Sequence, residues 1–289
     1  MTRARRTRSI LALLCALGTL GAGGCGTSIS VVTQGQPDGP VIKIGVPVDE
    51  PSMGWLHNNT HQGFDVDVAN YVADYLGYGE HQIEYVAANA ASAGRLLADG
   101  AIEMAFVAMP VNPGNDGPLF AGPYLASANG VMVRDDERDT TGSPASLDGK
   151  TVCTVPGTDA QAALADVAKG ARVREEPGYD RCVSALLTDE VDAVVAGRPI
   201  LDGLAEETGH EYVHVADASF GVQSYGVAVA KGSTTLAEQV DDALRQMVKD
   251  GSWDAAVRDL EAFGGYRADR ELCAKRMQSV TDPARGSQQ

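Results

Sequence analysis

The chain has 289 residues, 44% of them hydrophobic and 21% charged, enough apolar material for a large core and enough length for two domains. Asp and Glu number 39 against 23 Lys and Arg, giving a formal net charge of −16. That excess of negative charge argues against nucleic acid or an anionic membrane surface as partner of the folded part.

The N-terminus is the exception to the acidic balance. Arg3, Arg5, Arg6 and Arg8 precede the first acid, and Ile10–Gly18 is an apolar run too short to span a bilayer comfortably. Small residues follow, ending Gly21-Ala-Gly-Gly-Cys25. These are the n-region, h-region and cleavage zone of an export signal, so residues 1–24 are set outside the fold. Small residues directly before a cysteine resemble the lipobox of bacterial lipoproteins, which implies processing before Cys25 and lipid on it. Ala22 departs from the leucine that the lipobox prefers, and ordinary secretion is the competing reading. Arg5-Arg6 suggests a twin-arginine signal, but the residues after it fit that pattern poorly. Residues 25–40 are polar and contain glycine, as in a flexible tether.

The folded part opens with Val41–Val46, a β-branched run closed by Gly45-Val46 that reads as a buried strand. Phe64, Val68, Tyr71, Val72 and Leu76 then recur at helical spacing, with Asp65 and Asp67 in a first turn where negative charge suits the helix dipole. The intervening loop, Pro47–Gln62, opens at the carboxyl end of a strand, where ligands sit in open α/β sheets, and is expected to form one wall of a cleft. Next come a strand at Gln82–Ala87, a short helix at Ala91–Ala98 and a strand at Ile102–Met109. The turn-rich segment Pro110–Pro118 forms a second loop at a strand's end.

A second series repeats this order. Strands are expected at Gly130–Val133, Thr151–Val155, Arg172–Glu175 and Val191–Ala196, the last ended by Gly197-Arg-Pro199. Helices are expected at Ala160–Lys169, with Thr158 or Asp159 as cap, and at Tyr179–Leu187. Tyr225–Ala230 is a further strand, followed by helices at Leu236–Lys249 and Ser252–Leu260. Strands alternating with helices indicate parallel sheets, and two βα sets of similar size predict two sheets, each with its own core, facing a shared cleft. Ala268–Gln289 is polar and is expected to be poorly ordered, with Cys273 unpaired in it.

With Cys15 leaving with the signal and Cys25 carrying lipid, Cys153, Cys182 and Cys273 remain, the first two on neighbouring elements of one set. They are within reach of a disulfide in an oxidising compartment, and two buried thiols are the alternative. His57 and His61 lack a third ligand nearby, so this pair reads as surface polar sequence rather than a metal site.

The ordered set Gly63-Phe-Asp-Val-Asp-Val-Ala69, Leu97-Ala-Asp-Gly-Ala-Ile-Glu103, Gly122-Pro-Tyr124, Leu147-Asp-Gly-Lys150, Gly157-Thr158, Ala185–Val194 and Tyr225-Gly-Val-Ala-Val229 resembles the extracytoplasmic solute-binding proteins of amino-acid ABC importers. The similarity is greatest to the glutamine/glutamate-type lipoproteins of Gram-positive bacteria, where a cysteine pair matching Cys153 and Cys182 also occurs. The resemblance covers about Val41 to Gly265. It implies an α/β fold of the type II periplasmic-binding-protein kind: two lobes, each a mostly parallel sheet flanked by helices, hinged by two crossover strands. Lobe 1 would hold residues 41–127 plus 224–265 and lobe 2 residues 128–223, with 266–289 a C-terminal tail. It also implies a small-molecule ligand, a membrane permease as partner, attachment to the outer face of the membrane through lipid on Cys25, no cofactor, no metal and no catalysis. The chain is expected to be a monomer.

Several positions depart from the family pattern. Its carboxylate-binding arginine falls at Asn115, its assisting hydroxyl residues at Ala108 and Pro110, its ammonium-binding aspartate at Gly197, and the hydroxyl residue after Gly-Thr at Asp159. The usual amino-acid clamp is therefore expected to be missing. Candidate cleft residues are Asp49, Trp55, Ala108, Met109, Asn112, Asn115, Thr158, Asp159 and Arg198. Among them Arg198 could supply a cation, Asp159 an anion, and Trp55 a stacking surface, with solvation, helix capping and core cover as the respective plainer roles; Glu50 flanks Asp49 in the same loop. The competing functions are a ligand sensor that reports to a membrane signalling protein and a dehydratase-type enzyme. Against the enzyme, no nucleophile–base motif is present, and Asn115 replaces the cation a carboxylate substrate needs.

Overall fold

A computed structural model describes residues 40–109, 117–141 and 143–281. The export signal, Cys25 and most of the tether lie outside the described residues, as do Pro110, Asn112 and Asn115.

The chain begins with β1 (Ile42–Val46), whose Ile42, Ile44 and Val46 are buried. The expected loop after it is instead a small meander of β2 (Asp49–Glu50), β3 (Gly54–His57) and β4 (Thr60–Gln62). Asn58 and Asn59 turn β3 into β4 with φ of 49° and 62°, the left-handed pair that a tight hairpin requires. Helix α1 (Phe64–Tyr75) then buries Phe64, Val66, Val68 and Val72, at about 1.5–3 kcal/mol for each large apolar side chain fully removed from water. The first set is completed by β5 (Ile83–Ala87), α2 (Ala90–Ala98) and β6 (Met104–Ala108).

Strand β7 (Leu119–Arg134) is far longer than the expected Gly130–Val133. Most of its residues are buried whichever way they point, so the alternation that marks a half-exposed strand is absent. The second set follows: β8 (Thr151–Thr154), α3 (Asp159–Val167), β9 (Arg172–Glu175), α4 (Tyr179–Leu187) and β10 (Ala193–Gly197). Gly197-Arg-Pro199, expected only to stop a strand, opens α5 (Arg198–Thr208), because a proline in a first helical turn forfeits no hydrogen bond. Then come β11 (Val213–Val215), β12 (Phe220–Val229), α6 (Thr234–Asp250), α7 (Ser252–Ala262) and α8 (Arg270–Thr281).

The main sheet runs β5-β1-β6-β12-β7-β10-β8-β9, with β11 on the flank of β7. β5, β1 and β6 are mutually parallel, as are β10, β8 and β9. Between these triplets β12 runs antiparallel to β6 and β7, and β7 antiparallel to β10. The two βα sets are thus one hydrogen-bonded path rather than two separate sheets. The largest apolar cluster likewise joins them, taking Ile44 and Phe106 from the first set and Cys153 and Val194 from the second. Smaller clusters lie under α3 and under α2.

Two further points concern the C-terminal half. Cys153 and Cys182 form a disulfide that ties β8 to α4, with their Cα atoms 5.5 Å apart. The polar segment expected to be poorly ordered contains α8, and its Cys273 is 1% exposed rather than lying free in a tail. The Cys273 thiol meets the backbone N–H and C=O of Ala126 in β7, at 3.4 Å each. Polar composition hid this helix because one side of it suffices for docking.

Candidate functional site

The two βα sets meet along a seam that β7 and β12 cross. Asp49 Oδ2 accepts the backbone N–H of Tyr179 at 2.6 Å and that of Asp180 at 3.4 Å, so a carboxylate of the first set caps α4 of the second. Burial pushes the Asp49 carboxyl up, and the two amides pull it back. Ser52 Oγ donates to the carbonyl of Pro199 at 2.5 Å, and Asn89 Nδ2 donates to that of Pro177 at 2.6 Å. Gly203 of α5 lies so close to Ser52 that a Cβ there would meet its backbone N at 2.8 Å.

Behind this line of contacts sits a buried acid–tyrosine cluster. Glu50 is 4% exposed and its Oε2 has no hydrogen-bond partner. Burial drives its carboxyl well above the usual range, and the charges of Asp49 and Asp65 push the same way. The charge of Glu50 is felt in turn at the hydroxyls of Tyr124, Tyr179 and Tyr225. Asp65, in the first turn of α1 as expected, is fully buried; Tyr124 Oη donates to its Oδ1 at 2.8 Å and its Oδ2 is unpartnered. Desolvation raises the Asp65 carboxyl to about 7, the Tyr124 hydrogen bond opposing the rise. Tyr179 faces Thr158 without meeting hydrogen-bond geometry. Tyr225 Oη lies 3.5 Å from Ser127 Oγ and fills the space above Gly197, where any Cβ would overlap it.

The expected cleft residues fall into several groups. Thr158 caps α3, accepting from the Gln161 N–H at 3.2 Å and donating to the Val155 carbonyl at 3.0 Å. Asp159 accepts from the Ser224 N–H at 3.3 Å, and Gln223 Oε1 accepts from the Ala160 N–H at 3.2 Å, so β12 closes the start of α3. Arg198 is engaged within its own half: its Nε reaches both carboxylate oxygens of Asp202 at 3.1 and 3.2 Å, and its Nη1 donates to the Ala216 carbonyl at 2.5 Å. Trp55 packs on His57, with ring centroids 4.1 Å apart, and on Phe263 at 6.1 Å. His61 stacks separately on Tyr85 at 4.9 Å. Ala108 and Met109 are buried, Ala108 opposite Tyr225 in the sheet. Of the expected residues that are described, Asp49 and Thr158 contribute polar groups beside the acid–tyrosine cluster, and Ala108 lies opposite Tyr225. The cluster's central members, Glu50, Tyr179 and Tyr225, come from three distant segments, and only the neighbouring Asp49-Glu50 pair hinted at them in sequence.

Parallel triplets bridged by two long antiparallel strands, with polar contacts drawn together where they meet, define the type II periplasmic-binding-protein class. Residues 42–259 match the family described as bacterial extracellular solute-binding proteins, family 3, and the chain belongs to that family. It is 30% identical over 222 residues to the glutamate-binding protein GluB of Corynebacterium efficiens, covering 73% of this chain and 76% of the relative. It is 25% identical over 221 residues to the ABC transporter glutamine-binding protein GlnH of Bacillus subtilis, covering 75% and 80%. Among solved structures, an ancestral arginine-binding protein bound to glutamine superimposes with a TM-score of 0.70 at 25% identity, covering 79% of this chain and all of that one.

Proposed function

We propose that this chain is the lipid-anchored, extracytoplasmic solute receptor of an ABC importer, holding a small polar, amino-acid-related ligand between two lobes. Residues 41–127 with 224–265 form one lobe in this reading, 128–223 the other, and β7 and β12 the hinge. The observation that carries it is the seam itself. Asp49, Ser52 and Asn89 bond to the second half through Tyr179, Pro199 and Pro177, contacts that exist only when the halves are closed. A ligand that touches both halves stabilises that state by its differential affinity. Family membership and the relatives named for glutamate and glutamine support the transport role. The ligand is bound and released unchanged.

The ligand is not held by the usual amino-acid clamp. Gly197 has no room for a side chain beneath Tyr225, and Arg198 is committed to Asp202 and Ala216. Anchoring is assigned to lipid on Cys25, which places the protein at the outer face of the membrane.

Small-angle scattering with and without candidate solutes tests the reading. A bound solute should shrink the radius of gyration and raise the melting temperature by mass action. No compaction with any amino acid, amine or betaine sinks the receptor role. Anchoring is tested apart, by mass spectrometry of the Cys25 peptide from membranes.

A further inference from the structure

Resting on the solute-receptor reading, we infer that the ligand is an organic cation, an amine or guanidinium compound seated on Glu50, and that no ligand carboxylate is needed to hold it.

The inference follows from which polar groups at the seam are satisfied and which are not. Helix N-termini are ready anion sites because their first amides lack partners. Here those of α3 are taken by Gln223 Oε1 and Thr158 Oγ1, and those of α4 by Asp49 Oδ2. At these two helices an arriving carboxylate would have to displace the chain's own acceptors. The unsatisfied buried atoms include two carboxylate oxygens, Glu50 Oε2 and Asp65 Oδ2, which lack a donor, and both amide atoms of Asn129, opposite Gly197 in the sheet. A buried acceptor left without a donor costs about 1–3 kcal/mol, more for a charged group, so this pocket of polarity is complementary to a donor-rich, positive ligand. Neither Glu50 nor Asp65 has a basic side chain to offset its burial. Among the described residues no group of three or more His, Cys, Asp or Glu side chains could hold a metal ion. Tyr179 and Tyr225 supply phenol oxygens as further acceptors, and aromatic rings suited to a cation.

Isothermal titration of the purified protein with agmatine, putrescine, L-arginine, L-glutamate and L-glutamine decides it. Agmatine or putrescine should bind, with agmatine within about tenfold of arginine and glutamate at least about tenfold weaker. Glu50→Gln should weaken the cation by about tenfold or more, the scale of one charge-assisted hydrogen bond, while Glu84→Gln, on the exposed edge of β5, leaves binding within about twofold. Titrations in buffers of different ionisation enthalpy should show proton release on binding, as the Glu50 carboxyl ionises against the cation, and Glu50→Gln should abolish it.

Binding of glutamate or glutamine in preference to the amines overturns the inference while leaving the solute receptor intact. So does arginine far tighter than agmatine, or a folded Glu50→Gln protein that binds amines undiminished. If Glu50→Gln does not fold, the wild-type ranking of agmatine against glutamate decides alone. Failure of every solute to bind or compact the protein removes the receptor reading as well.

Discussion

Asp49 Oδ2 lies 2.6 Å from the backbone nitrogen of Tyr179, joining residues 130 positions apart across the seam between the two βα sets. The carboxylate sits at the positive end of α4, so the bond is charge-assisted on both counts. Asp49→Ala should cost the closed form about 1.5–3 kcal/mol, the range for hydrogen bonds to charged groups. The variant without ligand should show a larger radius of gyration by scattering than the parent. An unchanged radius together with an unchanged melting temperature would remove Asp49 from the closing mechanism.

The Cys153–Cys182 bridge closes a loop across 29 positions, for which the chain-entropy model gives about 3–4 kcal/mol. Urea unfolding with and without a phosphine reductant should differ by that amount. Cys153→Ser with Cys182→Ser should unfold like the reduced parent and no longer respond to reductant.

Asp65 sets a pH dependence whose sign is fixed by its burial. Its folded carboxyl titrates at about 7 against an ordinary 3.8. The unfolded chain therefore ionises first, and the stability present below about pH 4 is lost progressively as pH rises to about 7. The change is on the order of 4 kcal/mol at about 1.4 kcal/mol per unit. Asp65→Asn keeps an oxygen for Tyr124 and should reduce the fall of the urea midpoint between pH 4.5 and 8, leaving the part set by the raised carboxyls of Glu50 and Asp67. A variant whose slope matches the parent would place the titration elsewhere.

Gly197 gives a packing test. A methyl group there would overlap Tyr225 Oη, so Gly197→Ala should cost about 1–3 kcal/mol, the range for overpacking a filled interior. Tyr225→Phe removes the obstructing oxygen, and the double variant should recover part of the loss. A double-mutant cycle with no coupling would contradict the close approach.

Much of the fold was legible because its signals are local. The 3-and-4 spacing of Phe64, Val68 and Val72 gave α1 almost to the residue, and Tyr179–Leu187 matches α4 end for end. What escaped depended on partners distant in sequence. Most of β7 was hidden because its neighbours bury both faces, and α8 because only Leu272, Cys273 and Met277 of an otherwise polar helix pack on the core. The hairpin of β3 and β4 has a sequence signal in Asn58-Asn59, two residues that tolerate the left-handed turn conformation. At the acid–tyrosine cluster, Asp49 and Thr158 carry loop and cap signals that a sequence shows. Glu50, Tyr179 and Tyr225 were not found, since nothing in one stretch of sequence says that three segments converge. Arg198 shows a partner that sequence position alone did not reveal: Asp202, one turn along, pairs with its guanidinium.

Cys273 is the one free cysteine among the described residues, and it is pinned against Ala126 midway along a strand that both halves share. A thiol reagent reaches it only when α8 lifts from that strand. Its rate of labelling is therefore a native stopwatch for excursions of that helix, needing no introduced probe. Slower modification in the presence of a solute would time the grip of the receptor on its cargo.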